Sequence, residues 1–415
     1  MKQVLFFILI VFAQQANAQY GNSFSFSSDG SIMLYDDGSK WKLYHLPDAS
    51  LLRSYSAEEL LQQIDEEFDP SQPYYVDGKL NPELSGDGKT VVFYCNLHYY
   101  YFGTQEVKPL VRKFSESESA KQSMFSFRVN YNGTKLITTY VGTDAVDGVG
   151  GCSPGYRIPQ YFEFRKAATF LHEKNGCYFV TATDMDESGN VVIHAPDFIL
   201  YGNPNEKLKP LFNSNQFRLT AKPFFNEGRS LFLNGRIPIN DSLKVVRQAR
   251  MDRALLQQLS IPITEKEFAK ISEEVREKEW PEYKSKMDWI RFCHPDSIWT
   301  LMETHLVNGK WTSPKPAMPV QLDPVAWASS ISPNGKKVMW VDLVRGDDGN
   351  SIVVRNLCLT QRLSNGTWTK AKVIAKMEDH NSMLSVFNDF AVYQDAGRCY
   401  VVNFNKSFTK KEVYL

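Results

Sequence analysis

The chain has 415 residues, with 47 Lys and Arg against 47 Asp and Glu, so its formal net charge is zero. Proteins that bind nucleic-acid phosphates need a basic surplus, and this balance argues against a nucleic-acid partner. Hydrophobic residues make up 43% and charged residues 23%, as in globular proteins, which excludes a disordered or collagen-like chain.

Residues 1–18 are predicted to be a secretory signal peptide. Lys2 precedes nine apolar residues, 4–12, and the small-x-small triplet Ala16-Asn-Ala18 follows. Nine residues are too few to cross a bilayer core of about 30 Å, and no later stretch reaches the roughly 18 apolar residues that a spanning helix needs. We therefore expect cleavage between Ala18 and Gln19, no transmembrane segment, and a periplasmic or extracellular protein.

A glycine-centred pattern recurs along the rest of the chain. An apolar residue lies four positions before the glycine, and two adjacent apolar residues lie three and four positions after it. Chance would give about two such matches among the 24 glycines. The matching glycines are Gly30, Gly88, Gly133, Gly189, Gly228, Gly335 and Gly397. Asp or Asn before glycine favours a tight turn, and the β-branched and aromatic runs that follow predict strands. The paired apolar positions indicate strands covered on both faces, as in the stacked blades of a β-propeller.

Five consecutive aromatic rings follow the strand predicted at residues 89–94. They are His98, Tyr99, Tyr100, Tyr101 and Phe102. Exposed rings of this kind can bind sugars or peptides, so this run is the candidate binding site. Burial between blades is the alternative interpretation.

Other motifs have weaker chemical meaning. Gly151-Cys-Ser153-Pro-Gly155 matches the hydrolase nucleophile elbow, but a loop precedes it and no helical pattern follows. The acidic run that begins at Asp184 has Ala195 where a calcium loop needs its last acid. None of the seven histidines lies in a zinc motif, and His194 is expected to be a blade residue. The six cysteines have no C-x-x-C pair, which favours buried thiols with at most one or two bridges. We predict no metal, no cofactor and no assigned catalytic residue.

Residues 240–295 differ from the repeats and account for the long spacing between Gly228 and Gly335. Residues 243–259 predict one helix, and Thr264 with Glu267 has capping-box spacing for a second, which would end near Glu279 before Pro281. We expect a helical insertion in the fifth blade, between its inner strand and the rest. Three Gly-aromatic turns predict outer hairpins, at Gly309 with Trp311, Gly366 with Trp368 and, more loosely, Gly38 with Trp41.

The segment Ser332-Pro-Asn-Gly-Lys-Lys-Val-Met-Trp340 resembles the WD40-like repeat of TolB-type β-propellers, which are common among exported bacterial proteins. Ser85-Gly-Asp-Gly-Lys89 is a close copy. The resemblance implies an all-β fold over residues 19–415, a propeller of seven blades by repeat count, or of six if the first or last unit shares strands. It does not imply an activity.

The predicted function is therefore a binding module of the cell envelope that recognises a protein or a glycan through one face of the ring. The alternative is a secreted carbohydrate-active hydrolase or lyase, with carboxylates or histidines that converge at the funnel. The sequence leaves open whether the protein is an enzyme, and what its oligomeric state is.

Overall fold

The computed structural model describes residues 23–64, 82–95, 98–114, 124–141, 157–164, 169–170, 182–195, 197–225, 228–293, 296–317, 329–345, 352–378, 383–405 and 408–414. These residues form seven antiparallel sheets, each with its strands in chain order. The first strands of successive sheets touch one another around a central axis. The chain is a seven-bladed β-propeller, as the repeat predicts. The predicted signal peptide lies outside the described residues.

Blades one to four each contain four strands. Blade one has β1 (Ser23–Phe26), β2 (Ile32–Asp36), β3 (Lys40–His45) and β4 (Ser50–Ser56), with helix α1 (Ala57–Gln62) after it. Blade two has β5 (Glu83–Leu84), β6 (Thr90–Cys95), β7 (His98–Gly103) and β8 (Arg112–Lys113). Blade three has β9 (Met124–Val129), β10 (Lys135–Val141), β11 (Arg157–Glu163) and β12 (Thr169–Phe170). Blade four has β13 (Ala182–Met185), β14 (Val191–His194), β15 (Phe198–Gly202) and β16 (Lys209–Asn213).

Blade five has β17 (Phe217–Phe225), β18 (Ser230–Pro238), β19 (Ser297–Val307) and β20 (Lys310–Trp311), and β21 (Lys315–Pro316) also pairs with β19. Helices α2 (Asp241–Gln258), α3 (Glu265–Phe268), α4 (Glu273–Glu279) and α5 (Tyr283–Cys293) lie between β18 and β19. Blade six has β22 (Ser329–Ile331), β23 (Lys337–Arg345), β24 (Ile352–Gln361) and β25 (Lys372–Lys376). Blade seven has β26 (Leu384–Val386), β27 (Phe390–Asp395), β28 (Arg398–Asn403) and β29 (Thr409–Val413).

Six of the seven glycines of the repeat occupy the same turn, between the first and second strands of blades one to six. Their φ angles lie between +66° and +89°, a region that favours glycine. The seventh match is wrong as an equivalent, because Gly397 lies in the hairpin between β27 and β28. The equivalent turn of blade seven runs from Phe387 to Phe390 and contains no glycine. The repeat therefore predicts the number of blades correctly, with one coincidental member.

The polar residues of these turns are explained by hydrogen bonds within the turn. Ser85 Oγ donates to Asp87 Oδ1 at 2.7 Å and accepts from the backbone N–H of Thr90 at 2.9 Å. Asp87 Oδ1 also accepts from the backbone N–H of Lys89 at 3.0 Å. The serine and the aspartate thus satisfy backbone donors that the turn leaves without strand partners.

The second strand of each blade is covered on both faces, as the paired apolar positions predict. In β6 the side chain of Val91 packs in the cluster of Leu34 and Trp41 from blade one. The next residue, Val92, packs in the cluster of Leu136 and Phe162 from blade three. Because successive side chains of a strand point to opposite faces, two adjacent apolar residues contact the two neighbouring blades.

The ring closes where blade seven packs against blade one. Phe26 and Met33 share a buried cluster with Phe387 and Val392. Tyr44 Oη also donates to the carbonyl oxygen of residue 414 at 3.0 Å. Each blade is built from one continuous segment, so no strand is shared between the first and last units. The six-bladed alternative is therefore wrong.

The insertion is a helical subdomain, defined here as residues 239–296, with a hydrophobic core of its own. Met251, Leu255, Phe268, Tyr283 and Ile290 are buried together in a cluster that contains no strand residue. It lies between the second and third strands of blade five, whereas the inner strand is the first, β17. The helices therefore follow the end of the β18–β19 hairpin that lies opposite the Gly228 turn.

The helices of the subdomain agree with the prediction in part. The first is correct, and Asn240 caps it by accepting from the backbone N–H of Leu243 at 2.9 Å. The predicted capping box also forms, since the backbone N–H of Thr264 donates to Glu267 Oε2 at 2.8 Å. The prediction of one continuous helix as far as Glu279 is wrong, because Ser272 caps a new helix, α4, within it. A further helix, α5, follows Pro281.

The three Gly-aromatic turns do not all lie at the same place in a blade. Gly309 and Gly366 follow the third strands of blades five and six, as predicted for outer hairpins. Gly38 lies between the second and third strands of blade one, so its prediction as an outer turn is wrong. Trp41, which follows it, is completely buried.

Candidate binding site at the channel mouth

The turns between first and second strands gather at one end of the central channel, called here the channel mouth. A cavity of about 190 Å³ opens there, lined by residues of all seven blades. Its apolar lining is formed by the last residues of the first strands and by a phenylalanine next to the blade-seven strand. These are Phe26, Leu84, Val129, Met185, Phe224, Phe225, Ile331, Val386 and Phe387. The apolar position four residues before the repeat glycine thus lines the channel.

The residue before this apolar position is a serine in blades one, six and seven, and in blades one and six its hydroxyl bonds to the next blade. Ser25 Oγ of blade one accepts from the backbone N–H of Leu84 in blade two at 2.8 Å. Ser330 Oγ of blade six accepts from the backbone N–H of Val386 in blade seven at 3.1 Å. The serine therefore joins neighbouring first strands around the axis.

Blades two, three and four replace this serine with charged residues. Glu83, Arg128 and Asp184 each lie five residues before their repeat glycine and line the channel mouth. Arg128 Nη1 lies 3.5 Å from Glu83 Oε1, with side-chain exposures of 35% and 19%. The carboxylates of Glu83 and Asp184 raise the pKa of Arg128 above its ordinary value, against the effect of burial. Three consecutive blades thus form a charged side of the mouth, here called the charged trio.

The mouth as a whole carries more negative than positive side chains. Asp186 and Glu187 join Glu83 and Asp184 in the lining, against the one guanidinium of Arg128. Asp186 is held in its turn by the backbone N–H of Asn190 at 2.8 Å and by Tyr201 Oη at 3.2 Å. The exposed ring of Tyr131 lies at the rim. This arrangement suits a cationic group that enters beside an aromatic ring.

The predicted aromatic site forms β7, the third strand of blade two. Tyr99 and Phe102 are buried at 1% and 0% exposure, and they pack toward blade three and blade one respectively. Blade packing accounts for these two rings, so they form no exposed platform. His98, Tyr100 and Tyr101 are half-buried, and a binding role for them stays a prediction.

A Ser–His–Glu set in blade five has the composition of a catalytic triad but not its accessibility. Ser230 Oγ lies 2.8 Å from His305 Nδ1, and His305 Nε2 lies 3.7 Å from Glu303 Oε2. Ser230 is completely buried, and Glu303 also pairs with Arg362 of blade six. A nucleophile must reach its substrate. We therefore interpret this set as structural, as a link between blades five and six.

The structure assigns no catalytic or metal-binding role to the other motifs among the described residues. Ser153 lies outside the described residues. The acidic run at Asp184 forms the turn before β14, and no described group of three His, Cys, Asp or Glu side chains could hold a metal ion. His194 lies in β14, where burial and the charge of Arg218 lower its pKa to about 4. Among the cysteines with described side chains, Cys358 and Cys399 are free and buried, and Cys95 is also buried.

Comparisons with known proteins do not assign the chain to a family. Neither the protein-family models nor the curated proteins give a match. Among solved structures, the chain is similar to the β-propeller domain of Cps50 (Swd1) from Myceliophteria thermophila, with 10% identity, a TM-score of 0.46 and coverage of 92% of this chain and 96% of that one. It is also similar to hydrazine synthase of Kuenenia stuttgartiensis, with 10% identity, a TM-score of 0.45 and coverage of 94% of both chains. A structure described as TolB of Agrobacterium tumefaciens matches at 10% identity and a TM-score of 0.34, over 71% of this chain and 80% of that one.

None of the helices in the described residues combines the length and the apolar character that a bilayer-spanning helix requires.

Proposed function

We propose that this protein is an exported, non-catalytic β-propeller of the cell envelope that binds a partner at the channel mouth. The sequence features favour a protein or a glycan as the partner. The negative lining of the mouth favours a partner that presents a basic side chain or another cationic group. The observation that carries this proposal is the charged trio, because it replaces a serine whose role in blades one and six is structural.

The competing hydrolase or lyase is less well supported by the geometry. A glycosidase needs one carboxyl group that is protonated at working pH, which requires a raised pKa. Arg128 Nη1 lies 3.5 Å from Glu83 Oε1, so a guanidinium already engages a carboxylate that a general acid would need free for the substrate. Among the described lining residues there is no histidine to serve as a general acid or base. The mouth is therefore better suited to binding than to proton transfer.

The proposal is tested by replacing the charged residues with serine, the residue that blades one and six have at the same position. Glu83→Ser and Asp184→Ser restore the residue type of blades one and six, so the blades should still assemble. Binding of a short oligolysine peptide at low salt should weaken by about tenfold for each lost carboxylate. Arg128→Ser should strengthen binding, because it removes the cation that competes for the same carboxylates.

The measurement is isothermal titration calorimetry on the full mature chain, with an acidic peptide of equal length as the ligand control. Lys315→Ser, on the outer strand β21, is the matched protein control and should leave binding unchanged. Equal oligolysine affinity in all variants would refute the role of the mouth. The export part is tested separately, by cell fractionation and by N-terminal sequencing of the purified protein, which should begin at Gln19.

A further inference from the structure

The helical subdomain contains a second cavity. Its volume is about 470 Å³, within the range of small-molecule sites. Three arginines line it, Arg247 from α2, Arg276 from α4 and Arg291 from α5. The cavity, called here the arginine cleft, shares no lining residue with the channel mouth.

Arg276 forms the buried floor of the arginine cleft. Its side chain is 11% exposed, and its guanidinium stacks over the ring of Phe268 at 4.0 Å. One of its nitrogens, Nη2, donates to the backbone carbonyl of Phe268 at 2.7 Å. Nη1 lies 3.9 Å from Asp252 Oδ1, which is beyond hydrogen-bond distance, and Nε has no acceptor. The orientation is therefore fixed while part of the donor capacity is unused, which is costly for a buried charge.

The other two arginines are paired with carboxylates at the solvent side. Arg247 Nη1 lies 2.8 Å from Asp296 Oδ1, and the Asp296 side chain is 89% exposed. Arg291 Nη2 lies 3.0 Å from Glu273 Oε1, and the Glu273 side chain is 58% exposed. Exposed ion pairs contribute little to stability, so these two carboxylates can turn away at small cost. An anion from solution could then take their place on the guanidinium groups.

The rest of the lining is Gln248 and three apolar or aromatic side chains. Met251, Tyr283 and Met287 are buried side chains that face the arginine cleft from α2 and α5. Methionine side chains adapt to ligands of varied shape, and a tyrosine ring offers a flat contact. A ligand that fills the arginine cleft therefore needs an apolar or aromatic body as well as an anionic end.

We propose that the arginine cleft binds a small organic anion, in which a carboxylate or phosphate group lies among the three arginines and an apolar body lies against Met251, Tyr283 and Met287. Planar guanidinium groups pair with both kinds of anionic group through two parallel hydrogen bonds. The exposed carboxylates of Asp296 and Glu273 hold the positions of that group until a ligand displaces them.

The test uses the full mature chain and calorimetric titration with phenyl phosphate, phenylacetate, inorganic phosphate and phenethylamine. The two aromatic anions should bind, inorganic phosphate should bind more weakly because it lacks the apolar body, and the amine should not bind. Whichever aromatic anion binds more tightly identifies phosphate or carboxylate as the preferred group. Equal heats for the amine and the anions would overturn the proposal.

Charge variants should change the affinity for the aromatic anions in opposite directions. Ion pairs with a purely structural role would not produce this pattern. Asp296→Asn removes a competing carboxylate and should tighten binding of the aromatic anions by about threefold to tenfold. Arg291→Gln and Arg247→Gln remove ligand donors and should weaken it by about tenfold or more. Arg253→Gln is the matched control. Arg253 lies on the exposed side of α2, the helix that contains Arg247, and its substitution should leave the affinity unchanged.

A second variant and measurement separate binding from folding. Arg276→Lys keeps the charge but not the two-donor geometry, and it should weaken binding by about tenfold while circular dichroism shows the helices intact. If it unfolds the subdomain, Arg291→Gln still decides, because that side chain is half-exposed. Unchanged affinity in Arg291→Gln together with no gain in Asp296→Asn would refute the arginine cleft as an anion site.

Discussion

The substitution Gly30→Ala tests the packing between blades seven and one that closes the ring. A Cβ atom at Gly30 would lie 2.3 Å from two carbons of the Phe387 ring. That ring is 4% exposed and is held between Phe26 and Phe390, with ring centroids at 5.7 Å and 5.0 Å. It therefore has no open space into which it could move.

The expected cost has two parts that a matched variant can separate. Gly30 has a φ of +76°, and a side chain in that region costs about 1 to 2 kcal/mol. The clash with Phe387 adds overpacking of about 1 to 3 kcal/mol. Gly38 has a φ of +91° with no atom within 4 Å of the added Cβ. We expect Gly38→Ala to cost the first part alone and Gly30→Ala the sum, about 2 to 5 kcal/mol.

The assay is equilibrium unfolding in urea, followed by tryptophan fluorescence, with the slope of the transition compared between variants. Phe387→Ala provides the double-mutant cycle, because in that background Gly30→Ala should cost no more than Gly38→Ala. If Gly30→Ala and Gly38→Ala were equally destabilising in the presence of Phe387, the inferred contact at the ring closure would be wrong. A difference that persisted in the Phe387→Ala background would contradict its assignment to that ring.

Two further predictions concern titration and thiol reactivity. The folded pKa of His194, about 4, lies below the unfolded value of about 6.5, so its contribution to stability is complete above pH 6.5 and is lost as the pH falls toward 4. Between about pH 7 and about pH 4, the unfolding free energy of His194→Gln should therefore fall by about 2 kcal/mol less than that of the unmodified protein. Urea unfolding at each pH measures this, and an equal fall in both proteins would contradict the prediction. Burial raises the pKa of Cys358 and Cys399 to about 12, so together with Cys95 they should react with Ellman's reagent only after unfolding. Rapid labelling of any of the three in the native protein would show that the blades open.

The blade count could be predicted because it depends on a position where only glycine is comfortable. Six blades use a glycine with positive φ in the same turn. Because other residues are strained there, the glycine recurs in the sequence even where the rest of the repeat differs between blades. Blade seven makes its turn between Phe387 and Phe390 by a shorter route that needs no glycine. Gly397 met the same pattern because a two-residue hairpin also requires positive φ, here at Ala396 and Gly397.

The aromatic run in β7 shows why composition alone did not locate a site. A strand in the middle of a blade has two buried faces, so consecutive large rings are what its packing needs. Tyr99 contacts Phe162 edge to face, with ring centroids 5.2 Å apart, and Phe102 stacks on Trp41 with centroids 6.1 Å apart. Five rings in a row therefore indicated a covered strand as strongly as an exposed surface.

The charged trio could have been found from the sequence by aligning the repeats one position further back. Glu83, Arg128 and Asp184 all lie five residues before their repeat glycine, where blades one and six have serine. A repeat makes equivalent positions comparable within one chain, so a departure confined to neighbouring blades indicates a local function. The arginine cleft had no such signal, because its residues come from three helices whose packing only the folded chain reveals.

The position of Asp296 connects the arginine cleft to the propeller. Its side chain pairs with Arg247 of the cleft, while its backbone carbonyl accepts from the N–H of Ile239 at 3.1 Å, at the root of the β18–β19 hairpin. That hairpin continues through nine paired positions, from Pro238 and Ser297 to the His305 that contacts Ser230. A ligand that displaces only the Asp296 side chain leaves this backbone bond in place. Anion binding should therefore stabilise the subdomain without altering the channel mouth, and oligolysine affinity should be the same with and without phenyl phosphate, since coupling requires an element that both ligands shift.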